Sequence, residues 1–293
     1  MRKGYPFLIL AGVLFGTIVF GGKILSTFGL SVYELAILPF IVSILVLLPI
    51  IILKKEYRIK KDQLPLWLLY GFVEAVSVFC EFTPFILGLP VSILVLLLYT
   101  QPLWCILLVT LFLKEKITAK DIVASVIVIL GVVILVNPFG ARVNNVPGIL
   151  VALVGGIALA GWLVIGSYAS KKNINPITIR FAESIFQIGF LIILFPIVHI
   201  IFKNPSVTSF SFSYGWKVIL AIVIYGLFSQ TLSHLFYFKG AKDAPTMHAS
   251  IIALLEPVVA VLLSAIFLHE IISLNIIIGG LLILAANVLV IKK

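Results

Sequence analysis

The chain has 293 residues, of which 62% are hydrophobic and only 11% are charged. A soluble domain typically carries about 25% charged residues and cannot bury so much apolar surface, so the composition predicts an integral membrane protein and excludes a soluble enzyme, a disulfide-rich secreted protein and a disordered chain. The net charge of +10 indicates basic cytoplasmic loops rather than a nucleic-acid partner.

Ten runs along the chain are long and apolar enough to cross a bilayer, since a crossing helix needs about 20 residues. In chain order they are 5–25, 32–53, 65–87, 91–113, 119–136, 147–169, 176–202, 214–238, 245–268 and 274–291. The segments between them are too short for a soluble domain. Cys80 and Cys105 both lie inside these runs, which predicts buried, reduced thiols.

The basic residues indicate how the chain is oriented. If the N-terminus is inside, 16 of the 21 Lys and Arg residues fall in inner loops or at the termini and four fall in outer loops. Cytoplasmic loops collect Lys and Arg. We therefore predict a multi-pass protein of the cytoplasmic membrane with both termini in the cytoplasm.

The two halves of the sequence match each other at a constant offset of 155 positions. Pro102 corresponds to Pro257 and Glu115 to Glu270, and the neighbouring leucines align without a gap. Because each half has an odd number of spans, the second half must enter from the opposite face. We predict an all-α membrane protein of ten transmembrane helices in one membrane domain, with a first five-helix repeat at 1–140 and a second, inverted repeat at 141–293. Many secondary transporters have this architecture.

The same motifs suggest a family. The stretch 256–270, from Glu-Pro to His-Glu, followed by Gly279-Gly280, resembles the second repeat of EamA-type transporters of the drug/metabolite transporter superfamily. The stretch 101–115 resembles the first repeat. Phe15 stands where the family usually has Trp, and the second span lacks an Arg that is frequent there. The resemblance implies ten helices, a central cavity between the halves and carriage of a small metabolite, often outward.

Polar residues in the third span form the first candidate site. Tyr70, Glu74, Ser77 and Glu81 follow i, i+4, i+7 and i+11 spacing, which places them on one stripe of a helix. Ionisable groups inside a bilayer are costly and normally face a cavity or a partner. Glu74 and Glu81 are therefore candidates for proton coupling or for contact with a cationic group. The alternative for Glu81 is a hydrated side chain near the outer surface with no role.

The seventh span carries Arg180, Glu183 and Gln187 as further candidates. The i, i+3 spacing allows an Arg180–Glu183 pair within one helix. Arg180 lies near the inner end, so it either binds an anion or extends to lipid headgroups, and both interpretations remain open.

The eighth span has a polar stripe on an otherwise apolar helix. Its candidates form two neighbouring rows, namely Ser229, Ser233 and Tyr237 in one and Gln230 and His234 in the other. We favour cavity lining for this stripe, and the competing interpretation is hydrogen bonding between helices.

The fourth and ninth spans carry prolines at equivalent positions, in Tyr99-Thr100-Gln101-Pro102 and Leu254-Leu255-Glu256-Pro257. A proline inside a helix removes a backbone hydrogen bond and bends the helix. Tyr99, Gln101 and Glu256 are substrate-contact candidates beside these bends, and for the prolines themselves we favour a purely structural bend.

These patterns predict a secondary active transporter. We expect it to move a small organic solute, amino-acid-like or otherwise, out of the cell by alternating access, with proton coupling as a hypothesis. The alternative is a passive channel or facilitator. Neither a zinc-protease motif nor a phosphate-binding loop is present in the sequence, so we predict no enzyme activity, no cofactor and no metal. The expected partners are a small-molecule substrate and the lipid bilayer, with homo-oligomerisation left open.

Overall fold

The computed structural model describes residues 3–87, 89–137, 145–211, 213–269 and 273–291. Within these ranges the regular structure is entirely helical, and ten helical stretches are long and apolar enough to cross a membrane. The predicted all-α architecture with ten membrane helices is therefore confirmed. Glu270, the repeat partner of Glu115, lies outside the described residues. Cys80 and Cys105 are both buried free thiols, as predicted.

Ten helices are numbered here in chain order. The uninterrupted ones are α1 (Tyr5–Thr27), α2 (Val32–Leu53), α3 (Leu64–Ile86), α5 (Ala119–Val136), α6 (Val146–Lys171), α7 (Pro176–Phe202) and α10 (Leu274–Ile291). Helix α4 consists of Val91–Leu98, Gln101–Leu108 and a π-helical turn at Val109–Leu113. Helix α8 consists of Trp216–Tyr225, a π-helical segment at Gly226–Leu232, and Ser233–Ala241. Helix α9 consists of Thr246–Ala253 and Leu255–Leu268.

Local sequence signals explain several helix starts. Thr118 accepts a hydrogen bond from the backbone of Asp121, and the Asp121 carboxylate accepts one from the backbone of Thr118 at 2.8 Å, which forms a capping box at the start of α5. Ser31 and Glu34 form the same arrangement at the start of α2. These caps satisfy backbone donors that would otherwise be exposed at the ends of apolar helices.

The helix interruptions repeat at the offset seen in the sequence. Helix α4 breaks at Tyr99 and α9 breaks at Leu254, each just before a proline, and the two positions are 155 residues apart. Lys114 and His269, also 155 apart, both end their helices in the left-handed conformation, with φ of 53° and 54°. The same offset relates the bounds of α5 to those of α10. The two halves therefore share local structure as well as sequence.

Helices α5 and α10 pack together through their backbones. A Cβ atom on Gly131 would lie 2.9 Å from the carbonyl oxygen of Gly279, and one on Gly279 would lie 2.5 Å from the carbonyl oxygen of Gly131. Small residues allow membrane helices to approach this closely. The contact joins a helix of the first half to a helix of the second.

We expect Gly279→Ala to destabilise the protein by about 1–3 kcal/mol, because the added methyl group meets backbone atoms that cannot move aside. Gly280→Ala is the matched control, since its Cβ would find its nearest neighbour at 3.8 Å, an ordinary contact. Denaturation in mixed micelles measures both. Equal stability of the two variants would contradict this account of the α5–α10 contact.

Candidate functional site

A cavity of about 700 Å³ lies between the two halves. Residues of α1 to α4, α6, α8 and α9 line it, together with Ser206 from the segment after α7. Its mouth is at the end of α1, where Lys23 and Ser26 are exposed. We call this end of the protein the Lys23 face and the opposite end, where α1 begins, the Tyr5 face.

The cavity brings together about half of the residues proposed from the sequence. Eight candidates line it, namely Glu74, Ser77, Glu81, Tyr99, Gln101, Gln230, His234 and Glu256. The remaining seven lie outside its lining, namely Tyr70, Arg180, Glu183, Gln187, Ser229, Ser233 and Tyr237. The second group packs behind the first or joins neighbouring helices.

Three carboxylates face the cavity. Glu74 lies near the middle of α3 and is 4% exposed, and no hydrogen bond to it occurs among the described residues. Glu81 lies two turns further along the same helix, toward the Lys23 face. Glu256 of α9 is close enough to both Glu81 and Tyr99 to interact with them electrostatically. The lining of the cavity is therefore acidic from its middle to the part nearer the Lys23 face.

Behind the cavity lies a buried ion pair. Arg180 Nη1 donates to Glu183 Oε2 at 3.0 Å, and Trp162 Nε1 donates to the other carboxylate oxygen. The Arg180 guanidinium also stacks on the Phe40 ring at 4.4 Å. Arg180 is 0% exposed. It therefore does not extend to lipid headgroups, because its helix packs against α2 and α3 at this depth, and it does not line the cavity either.

Glu74, Glu183 and His234 converge at the bottom of the cavity, which is its closed end, away from the mouth at the Lys23 face. One potential ligand atom from each lies within 4.8 Å of the others, a separation that a bound metal ion could bridge. Both oxygens of Glu183 already accept hydrogen bonds, however, and the Arg180 charge adjoins the cluster. Glu74 is therefore the carboxylate whose charge is not matched by a neighbouring side chain.

An aromatic layer closes the bottom of the cavity. Trp162 contacts His234 and Tyr237, with ring centroids at 5.0 Å and 4.9 Å, and Phe15 lies edge-on to Trp162 at 5.9 Å. Tyr70 also stacks against Trp162, with the ring centroids 6.5 Å apart. These rings come from α1, α3, α6 and α8, so both halves of the chain contribute to the closure.

The polar stripe of α8 divides between the two interpretations made from the sequence. Gln230 and His234 line the cavity. In the other row, Ser229 Oγ lies 2.8 Å from Thr17 Oγ1 of α1, and the Tyr237 hydroxyl donates to a carbonyl of α6 at 2.7 Å. One row therefore faces the cavity and the other joins helices.

Two further candidates serve mainly to join helices. Gln187 Nε2 donates to the carbonyl oxygen of Ala36 at 3.0 Å, which ties α7 to α2. Gln101 Nε2 donates to the carbonyl oxygen of Ser250 at 2.9 Å, which ties α4 to α9, although Gln101 also borders the cavity.

Contacts between the halves seal the Tyr5 face, and we call them the Tyr5-face seal. Lys171 at the end of α6 forms an ion pair with Glu115, and both contact the Thr246 side chain at the start of α9. Burial raises the pKa of Glu115, but hydrogen bonds from Lys171 and Thr246 outweigh that effect and leave the pKa below its ordinary value. Glu115 is therefore charged at neutral pH, and its contribution to the seal is lost only in acid, as the pH falls through that lowered pKa.

A second cluster completes the Tyr5-face seal. His248 Nε2 lies 2.9 Å from Asp121 Oδ1, and His248 Nδ1 lies 2.6 Å from the Tyr5 hydroxyl. These residues belong to α9, α5 and α1. Nothing in the local sequence indicates that the starts of these three helices meet.

Comparisons with known proteins agree with this architecture. An uncharacterized transporter of Clostridium kluyveri is 26% identical, with 99% of this chain and 93% of that protein covered. An uncharacterized transporter of Archaeoglobus fulgidus is 29% identical, with 96% and 95% covered. A solved structure described only as the crystal structure of a protein shares the fold, with a TM-score of 0.77 and 19% identity over 99% of this chain and 96% of that one.

The family comparison is the most direct. The model of the EamA-like transporter family matches residues 2–137 and again residues 146–292, so the two halves each match it once. The resemblance drawn from the proline and glutamate motifs is thereby confirmed, and this chain belongs to the EamA-like transporter family.

Proposed function

We propose that this transporter moves a small organic solute across the cytoplasmic membrane by alternating access. The observation that carries the proposal is the cavity, which is open at the Lys23 face and sealed at the Tyr5 face by contacts between the two halves. A path open at both faces would favour a channel, whereas a cavity open at one face only supports alternating access.

We also propose that both termini are cytoplasmic, which makes the Lys23 face external. The basic residues support this orientation, because Lys54, Lys55 and Arg58 follow α2 at the Tyr5 face. The two predicted repeats, 1–140 and 141–293, then exchange roles between the outward-open and inward-open states. On this proposed orientation, a cavity open at the Lys23 face is the outward-open state.

Proton-coupled export is the direction and coupling that we propose. When both carboxylates are ionised, Glu74, Glu183 and Arg180 together carry one net negative charge at the bottom of the cavity. One positive charge, either a proton or a cationic group of the substrate, would neutralise this cluster, and carriage of a charge through the bilayer is otherwise costly. A proton that enters from outside could therefore displace a substrate that has been carried outward.

Proteoliposomes loaded with a defined mixture of amino acids and aliphatic amines test this function. We expect selective, saturable loss of some components, faster when the outside is acidic, together with counterflow of labelled solute against its own gradient. Mass spectrometry of the contents gives the readout, and protein-free liposomes give the background. Non-saturable leakage without counterflow would establish a passive channel instead.

A further inference from the structure

We propose that the cavity takes a linear dication, an α,ω-diamine, with one ammonium group at Glu74 and the other between Glu81 and Glu256. This inference rests on the proposed transport function and names the class of its substrate. It follows from the charge, the spacing and the surroundings of these three carboxylates.

Charge is the first argument. The carboxylates that line the cavity are Glu74, Glu81 and Glu256, and the lining cation among the described residues is Lys23, at the exposed mouth. Glu183 does not add to this excess, because Arg180 neutralises it. With the three carboxylates ionised and Lys23 counted, the lining carries two net negative charges. A substrate with two ammonium groups balances them, whereas a monoamine leaves one unpaired inside the membrane.

Spacing is the second argument. Glu74 and Glu81 are seven residues apart on one stripe of α3, which separates their Cα atoms by about 10 Å along the helix. Glu256 lies beside Glu81 rather than beside Glu74. The negative charge is therefore concentrated at two levels of the cavity. An extended diamine can place one ammonium group at each level.

The surface between the two levels suits a hydrocarbon chain. Val78 lies between Glu74 and Glu81 on α3 and lines the cavity, and the apolar side chains of Leu98 and Ile18 also belong to the lining. Ser77 is the polar residue on the intervening part of the α3 stripe. An apolar middle with acidic ends matches a chain of methylene groups that ends in two ammonium groups.

The deeper of the two levels, that of Glu74, also lacks a hydrogen-bond partner among the described residues. The Glu74 side chain is 96% buried and faces the cavity, and it accepts no hydrogen bond from the described residues. A buried carboxylate without a partner is costly, so it indicates a missing positive group. A ligand ammonium group would supply both the charge and the hydrogen-bond donors.

An amino acid suits this cavity less well than a diamine. Its carboxylate would need a cationic partner, and Arg180, the deep cation, is fully buried and bound to Glu183. Lysine and cadaverine differ only by that carboxylate, while pentylamine has the cadaverine chain with one ammonium group. These three compounds therefore separate the contributions of charge and chain.

Equilibrium dialysis of the purified full-length protein against each compound tests the proposal. We expect cadaverine to bind at least about tenfold more tightly than pentylamine and than lysine. Glu74→Gln and Glu81→Gln should each reduce cadaverine binding to the level of pentylamine and leave pentylamine within about threefold. Glu56→Gln, in an exposed turn between α2 and α3, is the control and should bind cadaverine as the parent does.

Equal binding of the three compounds by the parent protein would overturn the proposal, and this comparison does not depend on whether a variant folds. Unchanged cadaverine binding in both cavity variants would also overturn it. Because dialysis involves no membrane, its outcome is independent of transport. If the protein exports other solutes but does not bind cadaverine, the diamine proposal is wrong. If it binds cadaverine but transports no solute, the proposed transport function is wrong.

Discussion

Arg180→Met is expected to lower the free energy of unfolding by about 3–5 kcal/mol, the largest stability effect that we predict for a single side chain. Arg180 and Glu183 are both 0% exposed, and their ion pair lies at the contact of α7 with α3 and α6. Removal of the guanidinium leaves two carboxylates, Glu183 and Glu74, close together without a cation. Denaturation in mixed micelles, monitored by tryptophan fluorescence, gives the measurement.

The double variant Arg180→Met/Glu183→Gln separates lost packing from unpaired charge. If the penalty comes mainly from the orphaned carboxylate, the double variant should regain most of the lost stability, since replacing both members of a buried pair is often nearly neutral. Arg58→Met is the control, because Arg58 is exposed and should change stability by no more than about 0.5 kcal/mol. Equal losses in the single and double variants would show that the charge is not the cause.

Glu74→Gln is expected to abolish the acceleration of export by external acid, a coupling effect of about 5- to 150-fold in typical linked systems. Glutamine keeps the size of the side chain and removes its ability to bind a proton. Because substrate can still reach the cavity, counterflow should persist in the variant when labelled solute is supplied at a concentration high enough to offset weaker binding. The measurement compares efflux from proteoliposomes with and without a pH gradient.

Ser77→Ala is the control for this prediction. Ser77 lines the cavity one turn from Glu74 but cannot titrate, so its variant should keep the response to the gradient. A Glu74→Gln protein that still responds fully to external acid would exclude Glu74 as the coupling residue. In that case Glu81 and Glu256, the other carboxylates of the lining, become the residues to test.

Much of the fold was predictable because the responsible signals are local. A bilayer requires apolar runs of a certain length. The bounds predicted from the sequence for α2, α5, α7 and α10 therefore coincide with those in the structure. The breaks before Pro102 and Pro257 were equally visible, since a proline acts on the helix around it.

The site was only partly predictable, because the local sequence does not determine how each helix is rotated or which helices it packs against. Spacing placed Glu74, Ser77 and Glu81 on one stripe, and the structure places all three on the cavity lining. The same reasoning could not decide which polar row of α8 faces the cavity, because that depends on the contact between Ser229 and α1. The Tyr5-face seal was missed for the same reason, since its members are distant in sequence.

The glycine contact between α5 and α10 constrains how the two halves can move. Main-chain atoms of the two helices touch at Gly131 and Gly279, so separating or sliding them would create a void in a region without water to fill it. If the two halves alternate as proposed, this contact favours a rotation of the halves about Gly131 and Gly279, with the largest displacement at the side chains farthest from them. In such a motion, α5 and α10 would stay in contact at the hinge, and the helices that carry the glutamates would move around them.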